Sequence, residues 1–158
     1  EKQVTILSSD KDFLQLVNHR IQVYTPTKKK MYTETEVKED FGVSAQNLIF
    51  YRVLMGDKSD NIKGVNGVGI KTIESKMKFL TENHLSLDTF IEKCSKECDE
   101  KLSKKLMDNL DTINMNYGLM QLSDPEISSS ITSKSILPIF DEILFNSAFC
   151  NSSNNCGL

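Results

Sequence analysis

The chain has no tryptophan, two histidines, three prolines and four cysteines in 158 residues. Each scarcity removes a class of reading. His19 and His84 are the whole histidine supply and lie far from every cysteine, so the donor set of a zinc site is not at hand. Cys94 and Cys98 stand i, i+4 in a helical pattern, while Cys150 and Cys156 fall in a polar tail. That spacing is not a disulfide framework; it predicts reduced thiols in a cytoplasmic setting, with Cys94 and Cys98 in a core stripe. No apolar run approaches the length of a bilayer span and no signal peptide opens the chain, which argues against a membrane partner. Charge of one sign is lacking too. Nineteen Lys and Arg against 22 Asp and Glu leave a formal charge of −3, so any nucleic-acid contact must rest on local distribution. Residue 1 is glutamate rather than methionine, and a strand-like segment follows almost at once, as in a piece of something longer.

With 39% hydrophobic and 26% charged residues, the chain reads as globular, long enough for one domain or two small lobes. "VTIL" (4–7) predicts a buried strand that feeds an amphipathic helix, with Ser9 and Asp12 at capping-box spacing. "RIQVYTP" and "KKKMYT" predict two edge strands joined by a turn. Thr33 and Glu36 form a T-x-x-E cap on a short helix ending at Gly42, and "SAQNLIFYRVLMG" predicts a strong helix ending at Gly56. Three more helical faces follow: Ile70, Ile73, Met77 and Leu80; Leu87, Phe90, Ile91, Cys94 and Cys98; Leu102, Leu106, Leu110, Ile113 and Tyr117. Pro125 opens a serine-rich loop, Ile139 to Leu144 predict a last helix, and 150–158 read as a frayed tail. The expected organisation is thus an α/β piece over 1–32 and a helical region over 33–158, without internal repeats.

The segment "GDKSDNIKGVNGVGIKT" (56–72) carries most of the chemistry. From Gly64 it nearly spells a phosphate-binding P-loop, but Ile70 separates Gly69 from Lys71 and Thr72. The segment before it is helical, so strand–loop–helix context is missing for both the P-loop and the dinucleotide fingerprint. A helix, glycine turn, helix arrangement remains. Gly64, Gly67 and Gly69 allow a sharp turn and close approach, the amides of Val68 to Lys71 open a helix, and Lys71 and Thr72 add a cation and a hydroxyl. Such a turn suits a nucleic-acid phosphate without reading sequence. A ligand-free interhelical turn would look the same at this level.

Two carboxylate pairs flank this turn in sequence. Asp10 and Asp12 follow the first strand, at a sheet end where ligands gather, although helix capping alone would explain them. Asp57 and Asp60 follow an apolar helix, where negative charge opposes the helix dipole, so a cation or basic partner is expected nearby. Oxygen donors at these spacings suit a hard cation such as Mg²⁺ or Mn²⁺. Taken together, the pairs favour metal-assisted phosphate chemistry.

"LSSDKDFLQLV" followed by "MGDKSDNIKGVNGVGIKT" resembles the 5′-nuclease family of flap endonucleases, 5′-3′ exonucleases and phage ribonucleases H. The likeness is strong from Val4 to about Leu80, general to about Leu122, and absent beyond. It implies the end of a PIN-like α/β nuclease domain followed by an all-helical helix-hairpin-helix (H3TH) domain. Asp10, Asp12, Asp57 and Asp60 would be ligands of two catalytic divalent metals, Mg²⁺ or Mn²⁺. Gly64, Gly67, Gly69, Lys71, Thr72 and Lys76 would grip a DNA backbone, with carbonyls of Gly64 and Val68 holding a monovalent cation such as K⁺.

The implied reaction is two-metal phosphodiester hydrolysis at a 5′ end or 5′ flap of duplex DNA, or of an RNA–DNA hybrid, in replication or repair. The implied setting is the cytoplasm of a bacterium or a phage-infected host. Further carboxylates and a helical arch, which the family carries in an N-terminal half, are not among these residues, so the chain alone is expected to be weakly active or inactive. Two rivals stand at this point: a non-catalytic DNA-binding helix-hairpin-helix module, and a nucleotide hydrolase with an aberrant P-loop. Lys28, Lys29 and Lys30 read equally as a solvated strand edge or a DNA contact; Lys76 and Lys78 could follow the phosphate backbone; Lys101, Lys104 and Lys105 read as an exposed helix face.

Overall fold

A computed structural model of the chain describes residues 3–122. The loop after Pro125, the helix expected near Ile139, the tail and Cys150 and Cys156 lie outside the described residues.

The first strand, β1 (Val4–Leu7), pairs in parallel with β2 (Ile21–Thr25), and β2 pairs antiparallel with β3 (Lys30–Tyr32). Two expectations change here. β2 is the centre of the sheet rather than an edge. β1 is not buried: Val4 and Leu7 are 47% and 71% exposed, because β1 has a neighbour on one side only among the described residues. The link from β1 to β2 is a six-residue 3₁₀ helix, Lys11–Leu16, in place of the expected amphipathic α-helix. Its cap is Asp10, which accepts from the Asp12 amide at 2.9 Å, so Ser9 and Asp12 do not form the predicted box. Asn18 Oδ1 then takes the amides of Arg20 and Ile21 and turns the chain into β2 before a longer helix can develop.

Local chemistry sets the next boundaries as predicted. Thr33 and Glu36 form a capping box at the start of α1 (Glu34–Phe41), which ends at Gly42 with φ 68. A 3₁₀ turn (Ala45–Asn47) leads into α2 (Leu48–Met55), whose residues Leu48 to Leu54 are all buried. Such a helix, buried on every face, is the spine of the core. Phe50 of α2 stacks on Phe90 of α4 (Leu87–Glu97) at 4.2 Å and on Tyr117 of α6 (Leu110–Met120) at 5.7 Å. Asn116 of α6 donates to the carbonyls of Val53 at 3.0 Å and Lys63 at 2.9 Å, which ties α6 to the segment that carries the glycines.

The face read as one helix from Leu102 to Tyr117 is two helices, α5 (Glu100–Met107) and α6. Asn109 Nδ2 donates to the Lys105 carbonyl at 2.8 Å and helps end α5, while the apolar stripe continues across the turn. Periodicity alone could not show that break. Similarly α3 (Ile70–Lys76) stops at Met77, and a 3₁₀ turn (Lys78–Thr81) carries Phe79 and Leu80 into the core. Ile70, expected on the inner face, is 44% exposed. Cys94 is buried on α4 and Cys98 is half-buried at its end; both are free thiols. No helix among the described residues is long and apolar enough to cross a membrane.

Candidate functional site

Gly56 ends α2 with φ 69, a left-handed value that a side chain rarely tolerates, and throws the chain into a minute hairpin. Its arms are β4 (Gly56–Asp57) and β5 (Ile62–Lys63), a feature absent from the sequence reading. A Cβ on Gly56 would collide with the backbone of Ile62 to Gly64, and one on Gly64 with the end of α2. These two glycines are needed for that close backbone packing. The hairpin therefore joins the second carboxylate pair to the glycine turn by a short, fixed path. Because β5 is a two-residue hairpin arm and not a strand of a parallel sheet, the P-loop context is absent.

The four aspartates stand on two turns, one after β1 and one after α2, and three of them reach one cavity. Asp10, Asp57 and Asp60 line a cavity of about 300 Å³ with Ser9, Ser59, Lys11 and Arg52. Asp12 is turned toward Arg52 and does not line it. Arg52 is the residue that sequence reasoning missed. Its Nε donates to Asp12 Oδ1 at 2.8 Å, and its Nη2 lies 2.6 Å from both Asp12 Oδ1 and Asp57 Oδ2. One guanidinium thus bridges the carboxylate of the α/β segment to that of the helical segment, with its side chain 9% exposed. This is the basic partner that charge at the end of α2 called for. The signal was present as the one charge within "LIFYRVLM", since a buried cation must be paired.

The charges are distributed unevenly. Hydrogen bonds from Ser59 and from Arg52 hold the Asp57 carboxyl well below the usual carboxylate range. Burial pushes the Asp12 carboxyl up, against the opposing pull of Arg52. Burial likewise pushes the Cys94 thiol up, which keeps it an inert core group. Asp60 is exposed on the hairpin turn beside Asn61, which has φ 57.

Carboxylate and hydroxyl oxygens around a polar cavity are the right chemistry for Mg²⁺ or Mn²⁺. The enclosure is open, since among the described residues no three acidic, histidine or cysteine side chains gather closely enough to hold an ion by themselves. Asp10, Asp57 and Asp60 share this cavity, with the Asp57 oxygens taken by Arg52 and Ser59.

The glycine turn lies downstream of the hairpin. Val68 N donates to Val65 O at 3.1 Å and closes the turn, Gly67 sits at φ 74, and Gly69 is the N-cap of α3 with its helix-opening role met by backbone alone. Gly67, Lys71 and Lys76 are exposed, and Thr72 is half-buried. Gly69 is instructive: its backbone is extended and a Cβ would meet nothing within 4 Å. The fold itself does not demand glycine there. A bare backbone facing open space is what close approach by a partner requires.

The family described as 5′-3′ exonuclease, C-terminal SAM fold, matches residues 43–136. Among curated proteins, DNA polymerase I of Rhizobium leguminosarum is 33% identical over 119 residues, covering 75% of this chain and 11% of that protein. A 5′-3′ exonuclease of Aquifex aeolicus is 42% identical over 76 residues, 48% of this chain and 26% of the relative. Flap endonuclease Xni of Pseudoalteromonas translucida is 32% identical over 117 residues, 74% of this chain and 43% of the relative. The chain therefore spans less than half the length of these relatives. Among solved structures, the flap endonuclease of bacteriophage T5, in a pseudo-enzyme-product complex with DNA and metal ions, superposes with a TM-score of 0.62. Its sequence identity is 21%, over 75% of this chain and 43% of that one, a likeness of fold.

Proposed function

The chain belongs to the 5′-3′ exonuclease family, and from that premise we propose that it is the DNA-gripping part of a structure-specific 5′-nuclease that also supplies one wall of its metal site. The observation that carries this reading is the convergence of Asp10, Asp57 and Asp60 on one cavity, joined by a hairpin to the glycine turn. Phosphate held by the turn would stand at a set distance from the carboxylates.

Within this proposal each residue has its own task. Asp10, Asp57 and Asp60 would hold Mg²⁺ or Mn²⁺, which would supply charge stabilisation for phosphodiester hydrolysis. Arg52 fixes Asp57 relative to Asp12 and keeps two neighbouring carboxylates from repelling. Lys71, Thr72 and Lys76 contact backbone phosphates of duplex DNA near a 5′ end or flap, while Gly67 and Gly69 let the backbone come close. Carbonyls of Gly64 and Val68, which flank the closed turn, are assigned to K⁺. The remaining carboxylates come from other parts of the nuclease. The exposed apolar edge of β1 fits a sheet continued by such a segment, because Val4 and Leu7 would otherwise stay in water.

A non-catalytic DNA-binding module is the second reading, and one observation favours it. Asp10 caps a helix and Arg52 already satisfies Asp12 and Asp57, so three of the four aspartates have structural work without metal. Both readings share the phosphate grip, and Lys71→Ala tests that grip. Affinity for duplex DNA should fall to a similar degree for unrelated sequences, and the log–log salt slope should flatten by roughly one unit. A loss confined to particular sequences, or no loss, would place the grip elsewhere.

A further inference from the structure

A second polar hollow opens on the other side of the glycine turn. It has a volume of about 210 Å³, with Gly67, Thr72 and Lys76 on the turn and α3 facing Asp99, Lys101 and Lys105 at α5. Lys101 and Lys105 are i, i+4 and so share one face of α5. Lys105 reaches the turn itself: a Cβ placed on Gly67 would come within 2.7 Å of its Nζ. Gly67, with φ 74, thus leaves room for an ammonium delivered by a helix distant in sequence. A lysine near a helix C-terminus can serve only the helix dipole, but this one leans away from its own helix onto the turn.

The charges in this hollow do not balance. Lys76 is paired with Asp99. Neither Lys101 nor Lys105 forms a salt bridge among the described residues. Two unmatched ammonium groups on one helix face repel, and a shared anion relieves that repulsion. The Thr72 hydroxyl adds a donor on the opposite wall. Leu102 is the apolar side chain of the lining and no aromatic ring joins it, so cations and a hydroxyl dominate and suit phosphate rather than a stacked base.

We propose that α5 is the second wall of a phosphate clamp, with Lys101 and Lys105 contacting backbone phosphates of the duplex that the glycine turn grips. The proposal rests on the reading of that turn as a DNA grip, and it extends the footprint to a helix that sequence alone presents as an ordinary solvated face. The test is fluorescence anisotropy of a labelled blunt duplex titrated with the 158-residue chain over a range of salt. Lys101→Ala with Lys105→Ala should flatten the log–log salt slope by roughly two units, since each neutralised phosphate contributes about 0.9. Lys101→Arg with Lys105→Arg should keep the wild-type slope, and thermal melting should be the same for all three proteins. If the alanine pair keeps the wild-type slope while Lys71→Ala flattens it, the second wall is wrong and the turn reading stands. If neither variant changes the slope, the turn reading fails and the clamp with it.

Discussion

Replacing Arg52 with methionine is expected to destabilise the metal-free chain by about 3 kcal/mol, the low end for removing one partner of a buried ion pair. The side chain is 9% exposed and its partners Asp12 and Asp57 are 20% and 15% exposed, so the two carboxylates would be left facing each other with little water. In a domain of this size the melting temperature should drop by on the order of 10 °C. Loss of packing by the guanidinium stem could mimic the effect, and a second variant separates the two. Asp12→Asn and Asp57→Asn added to the methionine protein remove the orphaned charges and should restore part of the loss. Arg52→Lys should fall between, because one compact ammonium cannot bridge both carboxylates as the planar fork does. Equal stability of wild type and Arg52→Met would mean that the bridge carries no weight.

Asp57→Asn should cost more in function than any other single change. In a longer chain that completes the metal site, it should reduce cleavage by at least roughly 100-fold, the upper end seen for partners that only support metal ligands. Its effect on stability separates it from Asp60. From the sequence, both changes would leave the metal-free protein as stable or more so, since each removes charge from an acidic cluster. That expectation is corrected for Asp57, which accepts from Arg52 and from Ser59. Asp57→Asn should therefore lower metal-free stability by about 1–2 kcal/mol at neutral pH. Asp60, exposed on the hairpin turn, should tolerate asparagine without loss.

The pH dependence has a definite sign. Because the folded carboxyl of Asp57 is held low, its contribution is present above the unfolded value of about 4 and is lost as pH falls toward the folded one. The stability gap between wild type and Asp57→Asn should shrink on acidification. A gap that widens in acid would contradict the assignment.

What was legible in the sequence was local. The Thr33 box, the Gly42 stop and the end of α2 at Gly56 each depend on residues a few positions apart, and each falls where expected. The glycine turn and the two aspartate pairs were legible for the same reason. What escaped depends on contacts across the chain. Arg52 bridges to Asp12 forty positions away, and only its solitude in an apolar helix hinted at a partner. Lys105 reads as a solvated helix face until the fold brings it to Gly67. The break between α5 and α6 hid beneath an apolar stripe that crosses it. The exposure of β1 was invisible because an apolar strand reads the same in sequence whether it is covered or open.

The central claim is that the cavity between the β1 turn and the α2 hairpin is one wall of a divalent-cation site. The most direct measurement is a titration of the 158-residue chain with Mn²⁺, followed by water proton relaxation. The account predicts weak, saturable binding that is reduced by Asp57→Asn and by Asp60→Asn and unchanged by Lys71→Ala. Identical titration curves for wild type and a protein carrying both asparagines would contradict it.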